Sequence, residues 1–252
     1  MKKKTAIFIT GASSGLGQAL AIEYAKPQNI LFLCGRNKER LYQTAAVCKE
    51  KGAEVVTYIF DVTDAFAAQE AVLNAESTCP IDLLIANAGI SGGVLGEAEG
   101  STQTRQVFNT NIFGVANTVL PVLERMRQRK SGQVAIVASI AGYRGLPSAP
   151  AYSASKACVK AWGEALRGWL CASNIKVNVI CPGFIKTPLT DVNVFKMPFL
   201  MQPPKAARII AKGIAKNKAI IAFPWPMAFA TWLISALPAC IIHPILRHLP
   251  KK

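Results

Sequence analysis

Histidine is nearly missing from the 252-residue chain: His243 and His248 lie close to the end, and no other occurs. The seven cysteines (Cys34, Cys48, Cys79, Cys158, Cys171, Cys181, Cys240) include no CxxC pair. Without His or Cys at ligand spacing, the pattern argues against metal chemistry. An odd number of cysteines with no framework points to reduced thiols and a reducing compartment, here expected to be the cytoplasm. Charge is scarce as well. Only 17% of residues are charged and 51% are hydrophobic, against roughly 25% charged in an average soluble domain. A sizeable core is available, and part of the surface is expected to be covered by a partner, a second copy or a membrane. The start, "MKKKTAIFITGASSG", imitates a signal peptide, but its apolar run is only Ala6–Ile9. A secretory segment needs about 7–15 apolar residues, so this reads as a first β-strand. Linkers, low-complexity runs and internal repeats are also missing.

The shortage of acid is uneven. Residues 1–120 hold 10 Lys/Arg against 11 Asp/Glu; residues 121–252 hold 19 against 3. A basic half attracts anions, whether phospholipid, nucleic acid or an acidic substrate, or it is simply a solvated face.

What is there is an alternation. Short apolar runs at 5–10, 30–34, 54–60, 81–87, 132–139 and 175–181 are rich in β-branched residues and lack clean polar alternation. Strands buried on both faces read this way. Segments with helical spacing separate them, notably 16–26 and about 102–129. The pattern predicts an α/β fold: a single doubly wound parallel β-sheet with helices on both faces, ligands binding at the strands' carboxyl ends.

After the first strand comes "TGASSGLG", with Gly11, Gly15 and Gly17. Glycines at such a strand-to-helix turn allow a tight bend and close approach of backbone to a pyrophosphate, and the helix N-terminus favours the anion. Sites preferring NAD usually end the second strand with an acid that binds the ribose 2′-OH. Here Gly35 takes that place and Arg36 follows, with Arg40 one turn on. A guanidinium clamps a 2′-phosphate that a carboxylate would repel. The expected cofactor is NADP(H), with NAD(H) left open.

"AYSASKA" (151–157) sets Lys156 one helical turn from Tyr152, on the same face. A free phenol has a pKa near 10. A fixed cation lowers it, which would make Tyr152 a workable general acid or base. Small neighbours let this helix approach a cofactor closely.

Four motifs in order, T-G-x-x-x-G-x-G, "NAG" (Asn87–Gly89), "YSASK" (Tyr152–Lys156) and Pro182-Gly183, resemble those of the short-chain dehydrogenase/reductase family over residues 5 to about 190. The resemblance implies a Rossmann fold of about seven strands and an oxidoreductase transferring a hydride between NADP(H) and a carbonyl or secondary alcohol. It implies a catalytic tetrad of Asn111, Ser139, Tyr152 and Lys156. Ser139 would bond the substrate oxygen beside Tyr152; Asn111 would hold a water in a proton relay from Lys156. Cofactor contacts are expected from Gly11, Ser13, Ser14, Gly15, Leu16, Gly17, Arg36, Asp61, Val62, Asn87, Ala88, Gly89, Tyr152, Lys156, Pro182, Gly183, Ile185 and Thr187. Relatives place a substrate lid over about 189–217, where Val194, Phe195, Met197, Phe199 and Leu200 predict an apolar pocket. The substrate residues named are Ser139, Tyr152, Phe184, Leu189, Phe195 and Met197.

Ala154, Cys158, Ala161 and Ala165 form a stripe of small residues that would pack either on the chain's own sheet or, as in relatives, in a homodimer or homotetramer. Residues 219–246 contain no Asp, Glu, Lys or Arg. Pro224, Pro226, Pro238 and Pro244 leave no run long enough to span a bilayer. "AIIAFP" reads as the seventh strand. The chain therefore divides into a dehydrogenase domain, 1–223, and an apolar extension, 224–252, that packs on the same domain, on a partner subunit or on the inner face of a membrane. The alternative to an enzyme is a silent dinucleotide-binding scaffold, which usually loses the Tyr or Lys retained here. A nucleic-acid binder rests on charge alone and is not expected.

Overall fold

The computed structural model describes residues 4–93, 99–191 and 197–246. Seven parallel strands form one sheet in the order β3-β2-β1-β4-β5-β6-β7. They are β1 Thr5–Thr10, β2 Asn29–Gly35, β3 Glu54–Ile59, β4 Leu83–Ala86, β5 Gly132–Val137, β6 Ile175–Pro182 and β7 Ile220–Phe223. The chain order reverses between β1 and β4, the place where a doubly wound sheet opens a crevice.

β1 shows why the strands lack alternation. Ala6 and Phe8 enter the core shared with α3 (Ala65–Thr78), α5 (Gly114–Arg129) and α6 (Pro150–Leu170). Ile7 and Ile9 enter the core shared with α1 (Gly15–Tyr24), α2 (Lys38–Glu50) and α8 (Pro203–Ala215). Both faces are covered, so both must be apolar. α8 packs beside α1 and buries Ala206, Ala207, Ile210 and Ile214. The second half of the expected lid is therefore a fixed outer-layer helix, because its apolar stripe is needed to close the sheet. Before it lie α7 (Pro188–Asp191) and the turn Pro198–Phe199.

The helix expected over about 102–129 is two helices. α4 (Ser101–Phe108) and α5 are joined by one π-helical turn, Asn109–Phe113. Such turns cluster at functional sites, and this one carries the fully buried Asn111. Beyond β7, α9 (Trp225–Ala236) and α10 (Ala239–Leu246) complete the described chain.

Candidate active site

The turn after β1 is tied to the turn after β4 by the chain itself. Thr10 Oγ1 accepts from the Asn87 and Ala88 amides, both at 3.0 Å, and Asn87 Nδ2 donates to the Thr10 carbonyl. The glycines are required by space. Gly11 has φ +67°, and a Cβ there would sit 2.9 Å from Asn87 Nδ2. A Cβ on Gly17 would sit 2.1 Å from the Gly11 carbonyl oxygen. At the start of α1, Ser14 occupies the N-cap without capping through its side chain, and the first turn carries no acid. Its amides and both serine hydroxyls are placed to meet an anion.

A cavity of about 850 Å³ runs from this loop to α6. Gly11, Ser13, Ser14, Gly15, Leu16, Arg36, Asp61, Val62, Asn87, Ala88, Gly89, Pro182, Gly183, Ile185 and Thr187 line it, together with Ser139, Tyr152, Lys156, Phe184 and Leu189. Gly17 does not line the cavity; it lets α1 close onto the loop. Met197 does not line it either, and Phe199 and Leu200 are exposed. Phe195 and Val194 lie outside the described residues. Instead of these lid residues, apolar lining comes from Ile140 and Leu146 after β5 and from Met227, Thr231 and Ile234 of α9. The spacing of that last trio, i, i+4, i+7, was visible in the sequence as one helix face.

Two expected cofactor contacts meet each other. Arg36 Nη1 donates to Asp61 Oδ2 at 3.0 Å. Partial burial would raise the Asp61 pKa, but bonds from Thr63 and Arg36 outweigh it and the carboxyl is held below its usual range. Arg36 keeps further donors for a phosphate, and an exposed pair of this kind holds it weakly.

The catalytic corner departs from expectation at one residue. Both Nδ2 donors of Asn111 are used: Nδ2 donates to the Ile90 carbonyl and to Ser155 Oγ, both at 3.0 Å, and Oδ1 accepts the Ile90 amide at 2.8 Å. Its amide fixes the strand end beside α6, which leaves acceptors, the second lone pair of Oδ1 and the main-chain carbonyl, as the groups through which it would hold a water. Tyr152 is the residue that departs. Lys156 Nζ lies 5.8 Å from the Tyr152 ring centroid and donates to the Val137 carbonyl at 3.0 Å. Burial raises the Tyr152 pKa, and a hydrogen bond with Ser139 only partly offsets it. The same burial pushes Lys156 down to about 8, with Cys181 acting in the opposite direction. Among protein groups alone, desolvation sets the direction of the phenol's shift. A phenol held protonated is nonetheless the form a general acid needs.

Ser139 is set by the turn it begins: its Oγ accepts the Ala141 amide at 3.1 Å. Sequence reasoning missed Glu99. Its Oε2 accepts the Ala151 amide at 2.8 Å and caps the first turn of α6, one residue from Tyr152. It also missed Arg144, which lines the cavity and donates to the Ser235 and Leu237 carbonyls at the end of α9. The small stripe on α6 faces outward, since Ala154, Cys158, Ala161 and Ala165 are all exposed. Packing on the chain's own sheet is thereby ruled out for it.

A family profile described as short chain dehydrogenase matches residues 5–196. The chain belongs to that family. It is an NAD(P)-dependent oxidoreductase of the short-chain dehydrogenase type. An uncharacterised oxidoreductase of Myxococcus xanthus is 39% identical over 94% of each chain. The ketoacyl reductase HetN of Nostoc is 32% identical over 84% of this chain and 75% of its own. Among solved structures, an actinorhodin polyketide ketoreductase crystallised with NADPH superposes with a TM-score of 0.77 at 27% identity, over 87% of this chain and 94% of that one. Among the described residues of this dehydrogenase, no helix is long and apolar enough to cross a membrane.

Proposed function

We propose that the protein is a cytoplasmic NADP(H)-preferring reductase of apolar carbonyl compounds, or dehydrogenase of the matching secondary alcohols, with NAD(H) as a weaker cofactor. One observation carries the reading. Ser139, Tyr152 and Lys156 share a single cavity with a glycine-lined, arginine-flanked anion cradle, and Ile140, Leu146, Phe184 and Met227 give that cavity apolar lining.

The residues fit a dinucleotide. The loop amides and Ser13 and Ser14 would hold the pyrophosphate, Arg36 and Arg40 the 2′-phosphate, Asp61 and Val62 the adenine side, and Ile185 and Thr187 the nicotinamide side. The nicotinamide, when bound, supplies or accepts the hydride. Every other part belongs to the chain. Ser139 and Tyr152 hydroxyls converge on the position of a carbonyl oxygen and stabilise charge developing there. Tyr152 donates its proton to that oxygen in reduction and takes it back in oxidation. Lys156, pushed to about 8, is poised to resupply the proton near neutral pH. Asn111 and Glu99 hold the walls in register. The 32% identity to a ketoacyl reductase favours reduction as the direction.

The outward stripe on α6, with exposed Phe113 and Leu120 near and on α5, supports a homodimer, or a tetramer of two such pairs. The extension beyond residue 223 is read as partly packed on the same domain and partly available to a membrane surface.

The test is a panel of ketones followed by NADPH absorbance, with Tyr152→Phe as the control. Turnover of apolar ketones that vanishes in the variant supports the assignment. A variant as active as the parent, or better turnover of small polar carbonyls, overturns it.

A further inference from the structure

α9 is apolar on two opposite sides. Met227, Thr231 and Ile234 line the cavity. Trp225, Phe229, Trp232 and Leu233 point away from it, with 77%, 58%, 55% and 48% of their surface exposed. No residue of α9 is buried, and the stretch 219–246 has no charged residue at all. A helix apolar all round is stable where something apolar covers it. Among the described residues, the chain covers only the inner side. Ile241 on α10, 51% exposed, extends the bare face, and exposed apolar patches of this kind mark interaction surfaces.

Charge decides what covers it. After Asp191 the chain has nine Lys/Arg and no Asp or Glu through residue 252. Lys205, Arg208 and Lys212 lie on α8, in the layer with α1 and not on α9 itself, so the attraction is that of the whole chain, whose net charge is +15, and a second copy would bring two such chains together. An anionic lipid surface complements them. Tryptophans at the edge of an apolar helix suit the headgroup level. α9 has 12 residues, far fewer than the roughly 20 needed to cross, so it would lie in the interface.

We infer that α9 docks flat on an anionic phospholipid surface and forms a partition between that surface and the reactive corner, so that the site takes lipid-dissolved carbonyl compounds directly from the bilayer. Arg144, bonded to the last carbonyls of α9, hinges this partition to the wall beside Ser139. The docking stands on exposure and charge. The choice of substrate source rests on the reductase reading above.

The experiment uses the full chain and vesicles of phosphatidylcholine with about 30% phosphatidylglycerol, against phosphatidylcholine alone. The parent should sediment with the anionic vesicles, bind neutral ones roughly tenfold less, and release at high salt. The Trp225→Ser/Phe229→Ser/Trp232→Ser variant should lose roughly tenfold or more of that binding. It should also lose turnover of a long-chain ketone carried in the vesicles, while its turnover of a short water-soluble ketone stays at the parent level and shows the fold intact. A parent that stays in the supernatant, or a variant that binds as well, overturns the docking. So does a fall in molecular mass on substitution without parental lipid binding, which would give the face to a second copy. Sedimentation without turnover of any ketone would sink the reductase reading and leave the docking standing. Turnover without sedimentation would do the reverse.

Discussion

The cavity has two walls, and they are built on different rules. The inner wall consists of strand ends and α6, and its polar groups are tied to one another: Thr10 to Asn87 and Ala88, Asn111 to Ile90 and Ser155, Glu99 to Ala151. Behind it, β1 is buried from Ala6 to Thr10. The outer wall, α9, is as apolar as β1 yet has no buried residue, and Arg144 grips it at its end. Equal hydrophobicity has led to opposite fates because β1 has the chain's own helices on both faces and α9 has the chain on one. The inner wall can fix atoms to the precision that proton transfer needs; the outer wall can only select what enters.

That contrast can be broken most severely at the inner wall. Tyr152→Phe should lower turnover by roughly 10²–10⁴-fold for every substrate, with little change in KM, since it removes a proton donor and leaves the binding surfaces. Steady-state kinetics on two ketones of different length would check it; a loss confined to one ketone would move Tyr152 to the selecting wall. Phe8→Ala, removing a fully buried ring packed near Phe32 and Tyr58, should destabilise by roughly 3–5 kcal/mol in urea unfolding. Phe229→Ala should stay within about 0.5 kcal/mol of the parent. Similar costs at the two positions would erase the distinction between the walls.

Next in size is the anion cradle. Arg36→Ala should raise KM for NADPH by roughly 10–100-fold, as for a lost charged hydrogen bond, and leave KM for NADH nearly unchanged. An equal rise for both would mean that Arg36 supports the loop through Asp61 and does not read the 2′-phosphate. Proton supply gives a further handle. With Lys156 at about 8, the ammonium is present below that pH and lost above it. Reductive kcat/KM should be level on the acid side and fall by up to about tenfold per unit above. Lys156→Arg should carry the break upward, since a guanidinium stays charged. A profile flat through the alkaline range would remove Lys156 from the relay.

The sequence exposes the inner wall and hides the outer one for the same reason. A glycine loop between strand and helix, and a Tyr-x-x-x-Lys pair, are local patterns whose geometry follows from backbone periodicity. The reversal of strand order at β1 and β4 follows from alternation. What escapes is whatever depends on distant partners. That Asn111 also ties Ile90 to Ser155, 21 and 44 positions away, is invisible in its local motif. Tyr152 reads as acidified until burial, a property of the whole fold, pushes its phenol the other way. Residues 203–215 read as lid until α8 packs beside α1. The trio on α9 falls between these cases: its spacing is local, but which side meets the cavity depends on where β7 leaves it.

The smallest effect tests the selecting wall directly. Ile234 reaches the cavity from α9 and touches none of the proton-carrying groups by hydrogen bond. Truncation to Ala removes apolar surface worth about 1 kcal/mol to a bound alkyl chain once partial exposure is allowed for. KM for a long-chain ketone should therefore rise roughly threefold to tenfold, with kcat held and KM for a short ketone unmoved. A matching fall in kcat would show that α9 also positions the reacting carbonyl, and the two walls would then share one task.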